Sequence, residues 1–394
     1  MLIVLLWFTF ALNYVDRQMV YAMFPALKAD LGFTPERLGW IGSIFLWVYT
    51  FSMPIAGRLA DRGRKESMIL WSLILWSAST LACGWSNSVG SFLGARAAMG
   101  LTESLYYPAA LALIAGHYPS ESRSRVLGIH QSAQLIGVIV GGWYGGWSAD
   151  HVGWRQAFAI AGGAGIAYSL VLFLFFRSKA NVEPVAEKAQ HSDLGELTRS
   201  YCYIVLCIVF AAYCAMQWIF FAWFPNFLYE RYHLSMTESG WNATVFVSSS
   251  VIAGNLLGGF LTDRLTKRLE GARFYMTGIG VLLCAPFAWL TFSTDSLAFA
   301  RLFSAGFGFF GGLLSANAFA AAYDVVSPSN RGVAGGVLNM TGGVASAIMI
   351  YMAGIWKDTI GFPVMTMWMM IVAMACSLML LFTVNTRYHS EAST

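Results

Sequence analysis

The chain is written in long apolar blocks separated by short polar stretches. Twelve of these blocks approach the ~20 residues needed to cross the hydrocarbon core of a bilayer as a helix. They fall near 2–27, 38–57, 67–86, 92–117, 124–147 and 155–177, then 200–229, 240–262, 274–292, 296–322, 332–355 and 361–384. One polar stretch stands out by length. It follows the sixth block and carries Lys179, Glu183, Glu187, Lys188, Asp193 and Glu196. The pattern predicts an all-α membrane protein of twelve transmembrane helices in two six-helix bundles. The expected boundaries are a first bundle over 1–177, a cytoplasmic linker over 178–199, a second bundle over 200–385 and a tail over 386–394.

Composition agrees. The chain is 57% hydrophobic and 11% charged, where soluble domains carry roughly 25% charged residues. Its 39 glycines suit helices that pack closely in a membrane. The six cysteines, at 83, 202, 207, 214, 284 and 376, lie in apolar runs without CxxC or histidine spacing. They read as reduced packing residues, so no metal and no cofactor is expected. The first block lacks a basic leader and carries charge in its middle, which argues against a cleaved signal peptide.

Positive residues set the expected orientation. With the N-terminus inside, the cytoplasmic loops and tail hold sixteen Lys and Arg, including Arg58, Arg62, Arg64 and Lys65 after the second span and Arg264, Lys267, Arg268 and Arg273 around the eighth-to-ninth loop. The outer loops hold five: Lys28, Arg37, Arg155, Arg231 and Lys357. Both termini are therefore expected in the cytoplasm.

The three remaining basic residues, Arg17, Arg96 and Arg301, sit inside spans. A charge at the bilayer centre costs at least ~2.5–3.5 kcal/mol on insertion scales. Asp16 and Arg17 lie half-way along the first block, and as neighbours on a helix they point about 100° apart. Each needs its own partner. The fourth span offers Arg96 and Glu103, seven residues apart on one helical face and about 10 Å apart by rise, with Tyr106, Tyr107 and Pro108 beyond. Burial disfavours a charged carboxylate, and a nearby guanidinium favours it. Two carboxylates and two arginines at similar depth can thus exchange partners as a proton or an anion arrives, which is what a proton-coupled anion carrier needs. A static network tying the first and fourth spans together is the other reading. Further polar groups in the spans are Tyr49 on the second, His130, Gln131 and Gln134 on the fifth, and Asn339 on the eleventh. Each needs a hydrogen-bond partner, from a ligand or from another helix.

The halves repeat. Gly57-Arg58-Leu59-Ala60-Asp61-Arg62 follows the second span and Gly259-Phe260-Leu261-Thr262-Asp263-Arg264 follows the eighth, both reading G-x-x-x-D-R with basic residues beyond. Arg96 and Arg301 both open the fourth span of their half. Such repeats place a transport path at the interface of the halves. Glycine clusters here have no preceding strand and no following Lys-Ser/Thr, so they are not phosphate loops. No nucleophile–base pair or histidine–carboxylate cluster suggests an enzyme, and no nucleic-acid partner is expected.

Together the spans, the charged linker and the G-x-x-x-D-R loops resemble the major facilitator superfamily over the whole chain. The resemblance implies gating roles for Gly57, Asp61 and Arg62, and for Asp263 and Arg264 in the second half. Within the superfamily, Tyr14-Val15-Asp16-Arg17, Trp47-Val48-Tyr49, Arg96 with Gly100, Glu103 and Pro108, Gln134-Leu135-Ile136-Gly137 and Gly335-Gly336-Val337-Leu338-Asn339 resemble the anion:cation symporters. That resemblance implies that Arg17 grips a substrate carboxylate, with Tyr14, Tyr49, Gln134 and Asn339 around the rest of a sugar acid. It implies that Asp16 and Glu103 carry coupling protons beside Arg96. The expected protein is a functional monomer of the bacterial inner membrane that moves a small organic anion with protons. Spinster-like carriers share the D-R and R-x-x-x-G-x-x-E elements, and a lysolipid or other amphiphile is the alternative substrate. The fifth span also carries Gly137, Gly141, Gly142, Gly145 and Gly146. These approach an antiporter signature, with Gly142 where that signature has proline, or simply let helices pack closely.

Overall fold

A computed structural model describes residues 1–178 and 194–392. Most of the expected linker, 179–193, and the last two residues of the expected tail lie outside the described residues. No strand occurs among the described residues.

The chain opens with α1 (Leu2–Ala22) and α2 (Phe24–Leu31), followed by α3 (Pro35–Arg62), α4 (Lys65–Gly84), α5 (Val89–Ser104) and α6 (Tyr106–His117). Next come α7 (Ser120–His151), α8 (Trp154–Ser178) and the short α9 (Leu194–Arg199). Then follow α10 (Tyr201–Tyr232), α11 (Met236–Leu265), α12 (Ala272–Ser293), α13 (Leu297–Ser315), α14 (Ala318–Asp324), α15 (Arg331–Trp356) and α16 (Gly361–Ala392). Ten described segments are each long and apolar enough to cross a membrane, α13 and α14 counting as one. The other two of the twelve spans are α1–α2, which carries Asp16 and Arg17, and the broken pair α5–α6.

Local chemistry explains the breaks. A proline ring clashes with the carbonyl four residues earlier and lacks an N–H of its own. Pro25 faces the carbonyl of Tyr21 in this way and Pro108 that of Ser104. The helices are interrupted at Met23 and Leu105 accordingly. Polar caps mark other starts. Thr34 accepts the Arg37 N–H ahead of Pro35, and Ser88 and Ser91 form a reciprocal capping box at α5, the arrangement that satisfies otherwise orphaned N–H groups.

The chain divides into two compact units. The first comprises Met1–Lys188 with Phe224–Thr244, the second Ala189–Trp223 with Val245–Thr394. In the first unit α1 packs along α7, α3 along α5, and α4 against α5 and α8. The glycines of α7 make the first of these contacts. A Cβ at Gly137 would strike Ala11 and Tyr14, one at Gly141 would strike Val15 and Gln18, and one at Gly145 would strike Met19. The second stripe, Gly142 and Gly146, takes the start of α11 at Gly240, Thr244 and Met236. Asp150 completes that contact by accepting the N–H of Thr237 at 2.7 Å and its hydroxyl at 2.6 Å. The glycine pattern of the fifth span is therefore a packing device on two faces.

In the second unit α12 packs against α13 and α16. The core is aromatic. Phe220 stacks on Phe307 at 4.2 Å between ring centroids and meets Phe292 at 5.3 Å. Trp223 donates to the Ile350 carbonyl at 3.0 Å and Tyr203 to that of Ala334 at 2.7 Å.

Candidate functional site

Four charged side chains are buried among the described residues, and all lie in the first unit. They are Asp16 (3% exposed), Arg17 (5%), Arg96 (0%) and Glu103 (0%). Helix geometry sends the two neighbours on α1 apart. Arg17 turns to α5, where its Nε donates to Oε2 of Glu103 at 2.5 Å. Asp16 turns to α4 and lies beside Trp76 and Thr80, with Arg96 within electrostatic reach.

Arg17 is also boxed by aromatic faces. Its guanidinium carbon lies 4.8 Å from the ring centre of Tyr14, 5.0 Å from Phe45 and 4.4 Å from Tyr49. Each such contact is worth about 0.5–1 kcal/mol when exposed and more when desolvated. Phe45 serves twice, because the Arg96 guanidinium lies 5.0 Å from the same ring. A single ring therefore borders both guanidinium groups. Gly100 makes this arrangement possible. A Cβ there would come within 2.5 Å of the Phe45 carbonyl oxygen and 3.3 Å of the Tyr49 nitrogen, so α5 approaches α3 closely enough to bring Arg96 and Glu103 beside Phe45 and Tyr49.

The cluster is incompletely satisfied. Arg96 reaches the Asp16 carbonyl at 3.4 Å and the Met99 sulfur at 3.1 Å through one nitrogen. Its Nε and Nη2, the Glu103 Oε1 and both polar atoms of Asn13 are buried without a hydrogen-bond partner among the described residues. Buried polar groups are ordinarily paired. A charged cluster with spare donors and acceptors is suited to exchanging partners, where a purely structural ion pair would be saturated.

Tyr14 and Tyr49 border Arg17. Gln134 is half-buried on α7, and Asn339 is exposed on α15 in the second unit. Of the loop residues, Asp61, Arg62, Asp263 and Arg264 are exposed at the ends of α3 and α11. Arg264 folds back over the Phe260 ring at 4.2 Å, and Gly57 has open space where a side chain would be. No cluster of His, Cys, Asp and Glu suited to a metal ion occurs among the described residues.

Sequence reasoning assigned no role to Asn13, Phe45 or the Trp76–Thr80 face of α4. A signal existed for two of them. Asn13 lies four residues before Arg17 and Phe45 four before Tyr49, so each shares a helical face with a residue already singled out. His130 also gains a definite place. It stacks on Phe10 at 4.5 Å and pairs with the Tyr106 hydroxyl at 3.0 Å. That hydroxyl donates to the Leu6 carbonyl at 2.8 Å, so Nε2 of His130 is the donor of the pair.

Fold and cluster define a polytopic helical membrane protein with a buried cluster of charge. The chain belongs to the Major Facilitator Superfamily, whose sequence pattern matches residues 6–348 and 205–393. It is an integral membrane transporter of that superfamily and not an enzyme. It is 24% identical over 400 residues to the probable galactarate/D-glucarate transporter GudP of Escherichia coli K12, covering 91% of this chain and 87% of that one. It is 24% identical over 388 residues to the D-galactonate transporter of Escherichia coli O6:H1, covering 91% and 89%. Among solved structures, a bacterial homologue of the human lysosomal transporter Spinster, inward-facing and unoccupied, superposes with a TM-score of 0.78. Its identity is 19%, covering 99% of this chain and 95% of that one, and this likeness shows the fold.

Proposed function

We propose that the protein carries a sugar acid or similar small organic carboxylate across the inner membrane, in symport with protons and by alternating access. The observation that carries this reading is the buried Arg17–Glu103 pair at 2.5 Å inside its aromatic box. The galactarate/D-glucarate and D-galactonate transporters among its relatives support the substrate class.

The geometry of the cluster supports a simple order of steps. While Glu103 is ionised it holds Arg17. A proton on Glu103 turns that ion pair into a weaker contact between a cation and a neutral carboxyl and frees the guanidinium, whose fork of N–H donors suits a carboxylate. Tyr14 and Tyr49 offer hydroxyls to the substrate beside it, and Gln134 and Asn339 contact the remaining hydroxyls. Asp16, near Arg96, is the second proton acceptor. Release of protons to the cytoplasm restores the Arg17–Glu103 pair and expels the anion. In this reading the protein is a monomer with both termini cytoplasmic, and the linker over 178–199 joins the bundles 1–177 and 200–385. The loops carrying Gly57, Asp61 and Arg62, and Asp263 and Arg264, govern the cytoplasmic gate.

The test is uptake of radiolabelled D-galactonate and D-glucarate into proteoliposomes, with and without an inward proton gradient. Gradient-stimulated uptake of either is expected. Absence of stimulation for every sugar acid tried overturns the symport reading.

A further inference from the structure

Asn13 is 1% exposed, and neither its Oδ1 nor its Nδ2 makes a hydrogen bond. It lies one turn before Arg17 on the same face of α1, close to the Glu103 carboxylate. The two groups are near but not hydrogen-bonded, for Oε1 of Glu103 is also without a partner while Oε2 holds Arg17. A buried amide without hydrogen bonds is destabilising, and the resting arrangement leaves both polar atoms of Asn13 unbonded. A different arrangement of the same residues can pair them.

We propose that Asn13 is the positioning residue that receives Glu103 when Arg17 turns to the substrate anion. This rests on the anion-carrier reading of the site. An amide suits the task because it both donates and accepts. Nδ2–H donates to Glu103 when the carboxylate is ionised, and Oδ1 accepts the O–H of Glu103 when it is protonated. A guanidinium does only the first. The charged groups facing Glu103 are Arg17, Arg96 and Asp16, with the Tyr14 and Tyr49 phenols bordering Arg17. With Arg17 engaged elsewhere, Asn13 is the uncharged group beside Glu103 with hydrogen-bonding capacity to spare.

Two measurements test this. The first needs no substrate. The apolar, similarly sized Asn13→Leu is combined with Arg17→Met, which removes the guanidinium for good, and melting temperatures are measured in detergent. Asn13→Leu is expected to leave the melting temperature unchanged or raised in the wild-type background, where the amide is idle, and to lower it clearly in the Arg17→Met background. An equal effect in both backgrounds overturns the proposal, because a merely structural asparagine would not depend on Arg17. The second measures D-galactonate binding to purified protein. Asn13→Leu is expected to weaken it about tenfold or more, since Glu103 is then left without a partner whenever Arg17 leaves. In a Glu103→Gln background the same change is expected to cost far less. Equal losses in the two backgrounds overturn the proposal, and this arm decides the matter if Arg17→Met does not fold. Failure of the wild type to bind D-galactonate, D-glucarate or any other sugar acid tried would instead sink the carrier reading, while the melting comparison still decides the role of Asn13.

Discussion

The centres of the two units are built from opposite materials. The first unit buries Asp16, Arg17, Arg96 and Glu103, whereas none of the described buried residues of the second unit carries a formal charge. There the middle is the Phe220–Phe307–Phe292 stack, and the ionic contacts sit towards its edges, at Arg273–Asp324 and Glu196. The fourth-span arginines make the contrast local. Arg96 is fully buried beside Phe45, while Arg301 is only half-buried, 5.8 Å from Phe246. Both units nevertheless use the same packing device. Gly100 brings α5 onto α3, and Gly308 and Gly312 bring α13 onto α11 at Val247 and Val251. The repeat has kept the scaffold in both halves and the buried charge in one. The centre of the first unit is a cluster of buried charge, and that of the second is apolar and aromatic.

The largest effect that sharpens this contrast is expected at Arg17. Arg17→Lys removes the planar fork while keeping the charge, and should abolish D-galactonate binding while the protein stays folded in detergent. Arg301→Lys should leave binding within about threefold, since changes away from such contacts are usually small. Equal losses would break the comparison and show that a guanidinium of the second unit also holds the substrate's carboxylate. Next in size is Glu103→Gln. It removes the titrating group but keeps a hydrogen-bonding side chain, so gradient-driven uptake should fall to the undriven level while substrate counterflow survives. Unchanged driven uptake would move the proton elsewhere in the cluster.

The sequence made parts of this legible for physical reasons. Span number follows from block length, because the bilayer sets that length. That Glu103 lies near the depth of Arg17 follows from counting residues along two spans. The pairing itself does not follow, since it depends on how α1 and α5 are rotated and on Gly100 letting α5 approach α3. The breaks at Met23 and Leu105 were carried by Pro25 and Pro108. Asn13 was readable as buried but not as unpaired, because an orphaned amide is a property of its surroundings. The glycines of the fifth span illustrate the reverse case. Their spacing approaches an antiporter signature and equally suits close packing, and the contacts of Gly137, Gly141 and Gly145 with α1 account for them by packing.

In the second unit the expected effects are on stability. Phe307 is fully buried against Phe220, and Phe307→Ala should cost about 3–5 kcal/mol, as for large aromatic truncations in packed cores. Thermal unfolding in detergent should show it as a clear drop in melting temperature. D-galactonate affinity at low temperature should be little changed. A selective loss of affinity without loss of stability would show that the aromatic stack, and not only the first unit, shapes the anion site.

The smallest effect is expected at the edge of the second unit, and it depends on pH. Glu196 on α9 accepts the Ser327 N–H at 2.5 Å and the Ser327 hydroxyl at 2.8 Å, and also takes the Asn330 amide. The Ser327 N–H foremost holds the Glu196 carboxyl below its ordinary value of 4.5. A group whose folded-state value is depressed stabilises the fold above its unfolded value and loses that contribution as pH falls through the folded one. Glu196→Gln should therefore lower the melting temperature slightly at neutral pH, where the carboxylate is ionised in both states. The two proteins should converge as pH drops below the ordinary glutamate range, because the wild type then loses the same contribution. Melting curves of both across a pH series check this. Parallel curves would mean that the Glu196 contacts add shape but no net charge stabilisation, in contrast to the buried pair of the first unit.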